Sequence, residues 1–229
     1  MLMDLIRAIA ARDQNAFRLL EEQPGLARMA VEIAADHRSS SDCYFKEIEH
    51  YVYGGDTALH MAAAAHDRDM SIRLLASGAD VRAKNRRGAQ PLHYAVDGMP
   101  DAAAWDPGAQ AAVVQCLIDA GADPDAVDKS GVSPLHRAVR TRCAAAVGAL
   151  LANGADVRRR NGNGSTPLHL AVQNTGRGGS GTVAARAQQR EIILSLLRHG
   201  ARATDQDDAG KSVAQSAASD WIIDLLGEA

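Results

Sequence analysis

The chain has 229 residues, a formal net charge of −3, and 46% hydrophobic but only 3% aromatic residues. This small net charge excludes a uniformly basic surface, so nucleic acid is not the expected partner. Asp4 and Arg7 interrupt the first apolar stretch, so neither a secretory leader nor a membrane span is expected, and three cysteines without CxxC spacing point to reduced thiols in a cytoplasm.

Leu2 to Ala11 and Ala16 to Glu22 read as a helix pair, separated by Asp13 and closed by Pro24-Gly25. The longer segment Arg38 to Gly55 follows. It holds Tyr44, Phe45, Tyr51 and Tyr53, half of the chain's aromatic residues. The alternating run from Glu47 to Tyr53 predicts a strand pair or an elongated finger.

From residue 54 a repeat begins. Thr57-Ala58-Leu59-His60 returns as Gln90-Pro91-Leu92-His93, Ser133-Pro134-Leu135-His136 and Thr166-Pro167-Leu168-His169. Hydroxyl side chains at Thr57, Ser133 and Thr166 predict helix N-caps, and Pro91, Pro134 and Pro167 suit the first helical position, where no N–H is needed. Apolar residues then recur with helical spacing. Ile72, Leu74 and Leu75 begin the series, Val113, Val114, Leu117 and Ile118 continue it, and Val147, Leu150, Leu151 and Ile192, Ile193, Leu196, Leu197 complete it. Gly78, Gly121, Gly154 and Gly200 follow as left-handed C-caps. Cys116 takes an apolar position in its helix, where packing outweighs chemistry.

This pattern, with Gly-Ala-Asp at Gly78, Gly121 and Gly154, resembles the ankyrin repeat. The resemblance implies an all-α solenoid with short β-hairpin fingers, each finger followed by two antiparallel helices. It implies a degenerate N-terminal cap over 1–53, four repeats over 54–208 and a shortened cap over 209–229, where Trp221 seals the last layer. It also implies that His60, His93, His136 and His169 bond the backbone of the neighbouring finger, a structural role.

The repeat spacing of 33 residues lengthens to 43 between Gln90 and Ser133 and to 46 between Thr166 and Ser212. Two units therefore carry insertions between their helices, 97–107 and 173–189, which should emerge on one rim. The first holds Trp105, either an anchor for a partner or a plug holding its own loop to the helices, and Asp106-Pro107 reads as an N-cap and first turn. In the second, glycine-rich Thr175 to Gly181 reads as a flexible loop, and Thr182 to Gln189 as a backward extension of the next helix.

Catalytic and ligand-binding patterns are weak. Gly210-Lys211-Ser212 ends like a phosphate loop, but Asp205 stands where its first glycine belongs and Asp207 and Asp208 repel phosphate. No cofactor, metal ligand set or catalytic arrangement is expected, and His37, Cys43, His50 and His66 lack ligand-pair spacing. The finger after Gly78 is basic at Arg82, Lys84, Arg86 and Arg87, the next is acidic at Asp123, Asp125 and Asp128, the next basic at Arg158 to Arg160, and the last acidic at Asp205 to Asp208. Such stripes suit a protein partner of alternating charge.

The expectation is a monomeric, non-catalytic protein-interaction module. The ankyrin pattern places its variable surface at finger tips and first-helix faces, with Lys84, Arg86, Arg87, Lys129, Arg140, Arg160 and Asn163 as candidate partner-binding residues and Asp97 among the variable positions; Tyr51, Tyr53 and Trp105 join them as aromatic anchors. Two rivals remain, a metal- or thiol-dependent sensor or enzyme around Cys43 and His50 and a self-associating scaffold.

Overall fold

The computed structural model describes residues 1–32, 44–100, 105–173, 182–217 and 219–227. Helix pairs follow one another along the chain. α1 (Leu2–Ala10) and α2 (Asn15–Glu22) lead into a 3-10 helix at Pro24–Arg28, then a hairpin of β1 (Tyr44–Phe45) and β2 (His50–Tyr51). The pairs α3 (Ala58–Ala64) and α4 (Arg68–Ala76), α5 (Pro91–Ala95) and α6 (Pro107–Asp119), and α7 (Pro134–Arg140) and α8 (Ala144–Ala152) come next. They are followed by α9 (Pro167–Ala171) with α10 (Val183–Arg198), and α11 (Val213–Ser216) with α12 (Asp220–Gly227).

Odd-numbered helices α1 to α11 pack in one row, and α2, α4, α6, α8 and α10 in a second. Each helix therefore buries its apolar stripe against its own partner and against the next layer, as a solenoid requires. A continuous core runs from Leu2 to Leu225, with Leu59, Leu92, Leu135 and Leu168 fully buried at equivalent positions. Trp221 packs against its end. Ile72 departs from the expected stripe and is 39% exposed, because α4 turns Met70, Ser71 and Leu74 inward instead. Cys116 is only half-buried, since Val113, Val114 and Leu117 fill the inner face of α6.

The repeated tetrapeptides start helices as the sequence predicts, with Thr57, Gln90, Ser133 and Thr166 as N-caps and the prolines at the first helical position. Gly78, Gly121, Gly154 and Gly200 have φ of +88, +95, +80 and +97° at the helix ends. Asp106 caps α6 through the N–H groups of Gly108 and Ala109, and Thr182 caps α10, which does extend back to Val183. Thr175 to Gly181 lies outside the described residues.

Each repeated histidine links two layers. His60 Nδ1 accepts the Thr57 N–H at 3.1 Å, while its Nε2 meets the Ala89 carbonyl of the next finger at 3.2 Å. His93 does the same with Gln90 and Val132, His136 with Ser133 and Ser165, and His169 with Thr166 and Lys211. A capping box normally uses Glu or Gln in this role. A histidine closes the box with one nitrogen and has a second for the neighbouring layer.

That geometry requires a neutral ring, because Nδ1 must accept. Burial depresses the His60 and His136 pKa values, and burial followed by the Arg137 charge lowers His93 to about 4. The unfolded chain protonates these rings near the ordinary value of 6.5, so it binds more protons than the fold below that pH. Stability should be complete above about pH 6.5 and fall as pH drops toward 4, with His93 alone accounting for roughly 3 kcal/mol. Urea unfolding across that window checks this; a flat profile would contradict the neutral-histidine ladder.

Candidate interaction surface

Finger tips are built by a repeated side-chain turn. Asn85 Oδ1 accepts from Arg87 and Ala89 N–H, Asp128 Oδ1 from Ser130 and Val132, Asn161 Oδ1 from Asn163 and Ser165, and Asp207 Oδ1 from Ala209 and Lys211. Asn and Asp favour such turns because a short side-chain oxygen replaces a backbone acceptor. Two residues then form each tip: Tyr53-Gly54, Arg86-Arg87, Lys129-Ser130, Gly162-Asn163 and Asp208-Ala209.

Backbone bonds join successive tips in register. Arg86 N–H donates to Gly54 O at 2.7 Å, Lys129 N–H to Arg87 O at 2.9 Å, Gly162 N–H to Ser130 O at 2.9 Å and Asp208 N–H to Asn163 O at 3.2 Å. Along this ridge the character changes steadily, from aromatic and basic at Tyr53, Arg86, Arg87 and Lys129, through neutral Gly162-Asn163, to acidic Asp208.

The ridge therefore differs from the alternating stripes read from sequence. Asp80, Asp123 and Asp156 each accept the N–H two residues on, and Asp125 accepts from Asp156 N–H, so these acids serve the turns. Arg158 pairs with Asp205 at 2.6 Å and Arg160 with Asp208 at 2.8 Å. No ion pair among the described residues engages Lys84, Arg86, Arg87 or Lys129.

A cleft of about 470 Å³ opens beside the basic end. The hairpin forms one wall, with Tyr44 opposite Tyr51 across the strands and ring centroids 4.7 Å apart. Glu47 to Glu49 lie in its turn, so the strands are shorter than the alternating run suggests. The insertion forms another wall through Asp97, Gly98, Met99 and Trp105. Gly98 is tightly enclosed: a Cβ there would lie 2.9 Å from Cys143 Sγ and 2.9 Å from Gln110 Nε2.

The two walls meet at Asp97. Its Oδ2 lies 3.0 Å from Arg137 and 3.3 Å from His50 Nε2, and its carbonyl accepts from Gln110 Nε2 and meets His66 Nε2 at 2.9 Å. His50 stacks on Tyr94 with centroids 4.2 Å apart, and Arg137 lies over the same ring. Beneath them Asp56 is fully buried. It accepts from Tyr53 N–H at 2.7 Å, Asn85 Nδ2 at 2.9 Å and Tyr94 OH at 3.0 Å. Those donors satisfy a carboxylate that burial would otherwise penalise heavily. Burial, followed by the Asp56 charge, raises the Tyr94 pKa far above the ordinary phenol range.

Tyr51, Tyr53 and Trp105 thus come together in one cleft, with Tyr51 45% exposed and Tyr53 half-buried. Arg86 and Arg87 lie over the Tyr53 ring at 5.4 and 5.0 Å, and Arg87 donates to its hydroxyl at 3.1 Å. Lys84 and Lys129 are exposed on the adjoining fingers. Arg140 ends α7 and Asn163 sits at a neutral tip, both exposed, and Arg160 is engaged by Asp208 and Gln206 O.

Sequence reasoning passed over Arg12, His66 and Arg137 as site residues and named His50 only for the metal- or thiol-dependent rival. Arg137 carried a signal: it occupies the slot after the repeated histidine where Met61, Tyr94 and Leu170 stand. Arg12 and His66 carried none: their left-handed backbone, at φ +52 and +50° and uncommon for non-glycine residues, shows only in the structure. Among the described residues no three His, Cys, Asp or Glu side chains form a metal-binding group, and Cys43 lies outside them.

Replacing Tyr94 with Phe should destabilise the fold by about 1–3 kcal/mol, since it removes a donor from buried Asp56. Urea unfolding reads the loss directly; unchanged stability would mean that Asp56 does not depend on this bond.

No curated protein matches the chain. Residues 101–180 match a family model of three ankyrin repeats, and residues 54–86 and 163–208 match the single ankyrin repeat. With histidine-linked layers and turn-built finger tips in the same places, the chain belongs to the ankyrin-repeat family, whose members are generally protein–protein interaction modules and typically non-catalytic.

Proposed function

We propose that this chain is a monomeric, non-catalytic module that binds a protein partner through the N-terminal end of its finger ridge and the adjoining cleft. The observation that carries this reading is the junction at Tyr53, where Arg86 and Arg87 meet an aromatic hairpin that also walls the cleft. Exposed Tyr51 and half-buried Trp105 offer desolvation area, and arginines supply directional donors, the residue types in which binding energy concentrates. The tips are already bonded to one another, so little ordering entropy opposes association. Arg160, held by Asp208 toward the other end of the ridge, stays outside this contact.

Affinity capture of partners with the parent protein and with the double variant Arg86→Glu, Arg87→Glu tests the proposal. A partner retained by the parent and lost by the variant, at nearly unchanged melting temperature, is the expected result. Equal capture by both would remove these tips from the interface.

A further inference from the structure

We infer that the partner segment recognised by this surface is acidic: an extended stretch rich in Asp and Glu, carrying one uncharged aromatic or branched apolar residue that enters the cleft. The inference rests on the interaction-module reading and adds the partner's chemistry.

Charge on the ridge is compensated at one end only. At the far end Arg158 and Arg160 are neutralised by Asp205 and Asp208. At the near end Lys84, Arg86, Arg87 and Lys129 are exposed and enter no ion pair among the described residues, while Asp123, itself exposed, and Asp128 accept backbone N–H groups of their own loops. An external carboxylate supplies what no neighbouring finger does. Tyr53 holds both arginines by cation–π contact, with an exposed side still open for bidentate carboxylate pairing.

The cleft selects differently. Its lining cations Arg12, Lys46 and Arg137 are matched by Glu47, Glu49 and Asp97, and Asp97 already pairs with Arg137. An anchor entering there gains nothing from a charge. Tyr51, Met99 and Trp105 instead give it apolar walls, and about 470 Å³ is room for one large side chain. A phosphate polymer fits less well than an acidic peptide, because it would continue toward Asp205, Asp207 and Asp208 on a protein of net charge −3.

Selection of displayed random short peptides on the intact protein tests this, followed by affinity measurement with the enriched peptides and with a single-stranded oligodeoxynucleotide. Enrichment of Asp and Glu around an aromatic or branched apolar residue is expected. The double variant Lys84→Glu, Lys129→Glu breaks none of the ion pairs and should weaken those peptides on the order of tenfold or more. The variant Arg190→Glu, Arg198→Glu, with the same charge change on α10, should leave them unchanged.

Enriched peptides without acidic excess, or insensitive to the Lys84 and Lys129 reversal, would overturn the acidic assignment while leaving the interaction module standing. Equal loss with the α10 variant would reduce the effect to bulk charge and overturn it as well. Tighter binding of the oligodeoxynucleotide would assign the surface to nucleic acid. Failure to enrich any peptide would sink this inference together with the module reading.

Discussion

The histidine at the third position of α3, α5, α7 and α9 is the contact on which the remaining geometry depends. One nitrogen closes the helix cap within a layer, the other reaches the carbonyl at the base of the next finger. Because the histidines themselves are buried, a layer that slipped against its neighbour would strand their ring nitrogens away from water. Layer register fixes finger register, and finger register allows the tip-to-tip bonds from Gly54 to Asp208. The graded ridge is therefore a consequence of the ladder, since tip residues far apart in sequence become neighbours only when the layers align.

The cleft follows from departures from the repeat. The hairpin precedes the first tip, the insertion begins at Asp97, and Arg12 and His66 take left-handed positions at the ends of α1 and α3. Arg12 donates to Ala65 O, His66 meets Asp97 O, and Arg142, at φ +62°, donates to Ala171 O and Gln173 O. Each of these residues thus satisfies carbonyls at the end of the next inner helix, where backbone acceptors would otherwise be orphaned. Asp97 gathers three further elements: His66 after α3 reaches its carbonyl, while His50 from the hairpin and Arg137 from α7 reach its carboxylate. Asp56 and Tyr94 support that junction from below, so the aromatic wall is held by a buried polar network and not by apolar contact alone.

Much of the architecture was legible because its causes are local. Hydroxyl caps, first-turn prolines and left-handed glycines act within a few residues, and each appears in the chain at a fixed offset. Charge placement was not legible in that way. Asp128 and Asn161 occupy equivalent turns with equivalent bonds, so the aspartate that reads as an acidic stripe does the work of an asparagine. The pairing of Arg158 with Asp205 spans 47 residues and needed three-dimensional register to be seen. Ile72 misled for a related reason, because a helical stripe can shift toward Ser71 where that hydroxyl bonds the Asp67 carbonyl and remains buried.

The central claim is that binding belongs to the basic, aromatic end of a ridge whose other end is compensated internally. Backbone amide NMR of the protein titrated with a bound partner segment tests it most directly. The account predicts shifts concentrated at Tyr51, Tyr53, Arg86, Arg87, Trp105 and Lys129, with the amides of Arg158 to Arg160 and Asp205 to Asp208 nearly still. Shifts concentrated on those later fingers or on α10, with the Tyr51 and Arg86 amides unmoved, would contradict it.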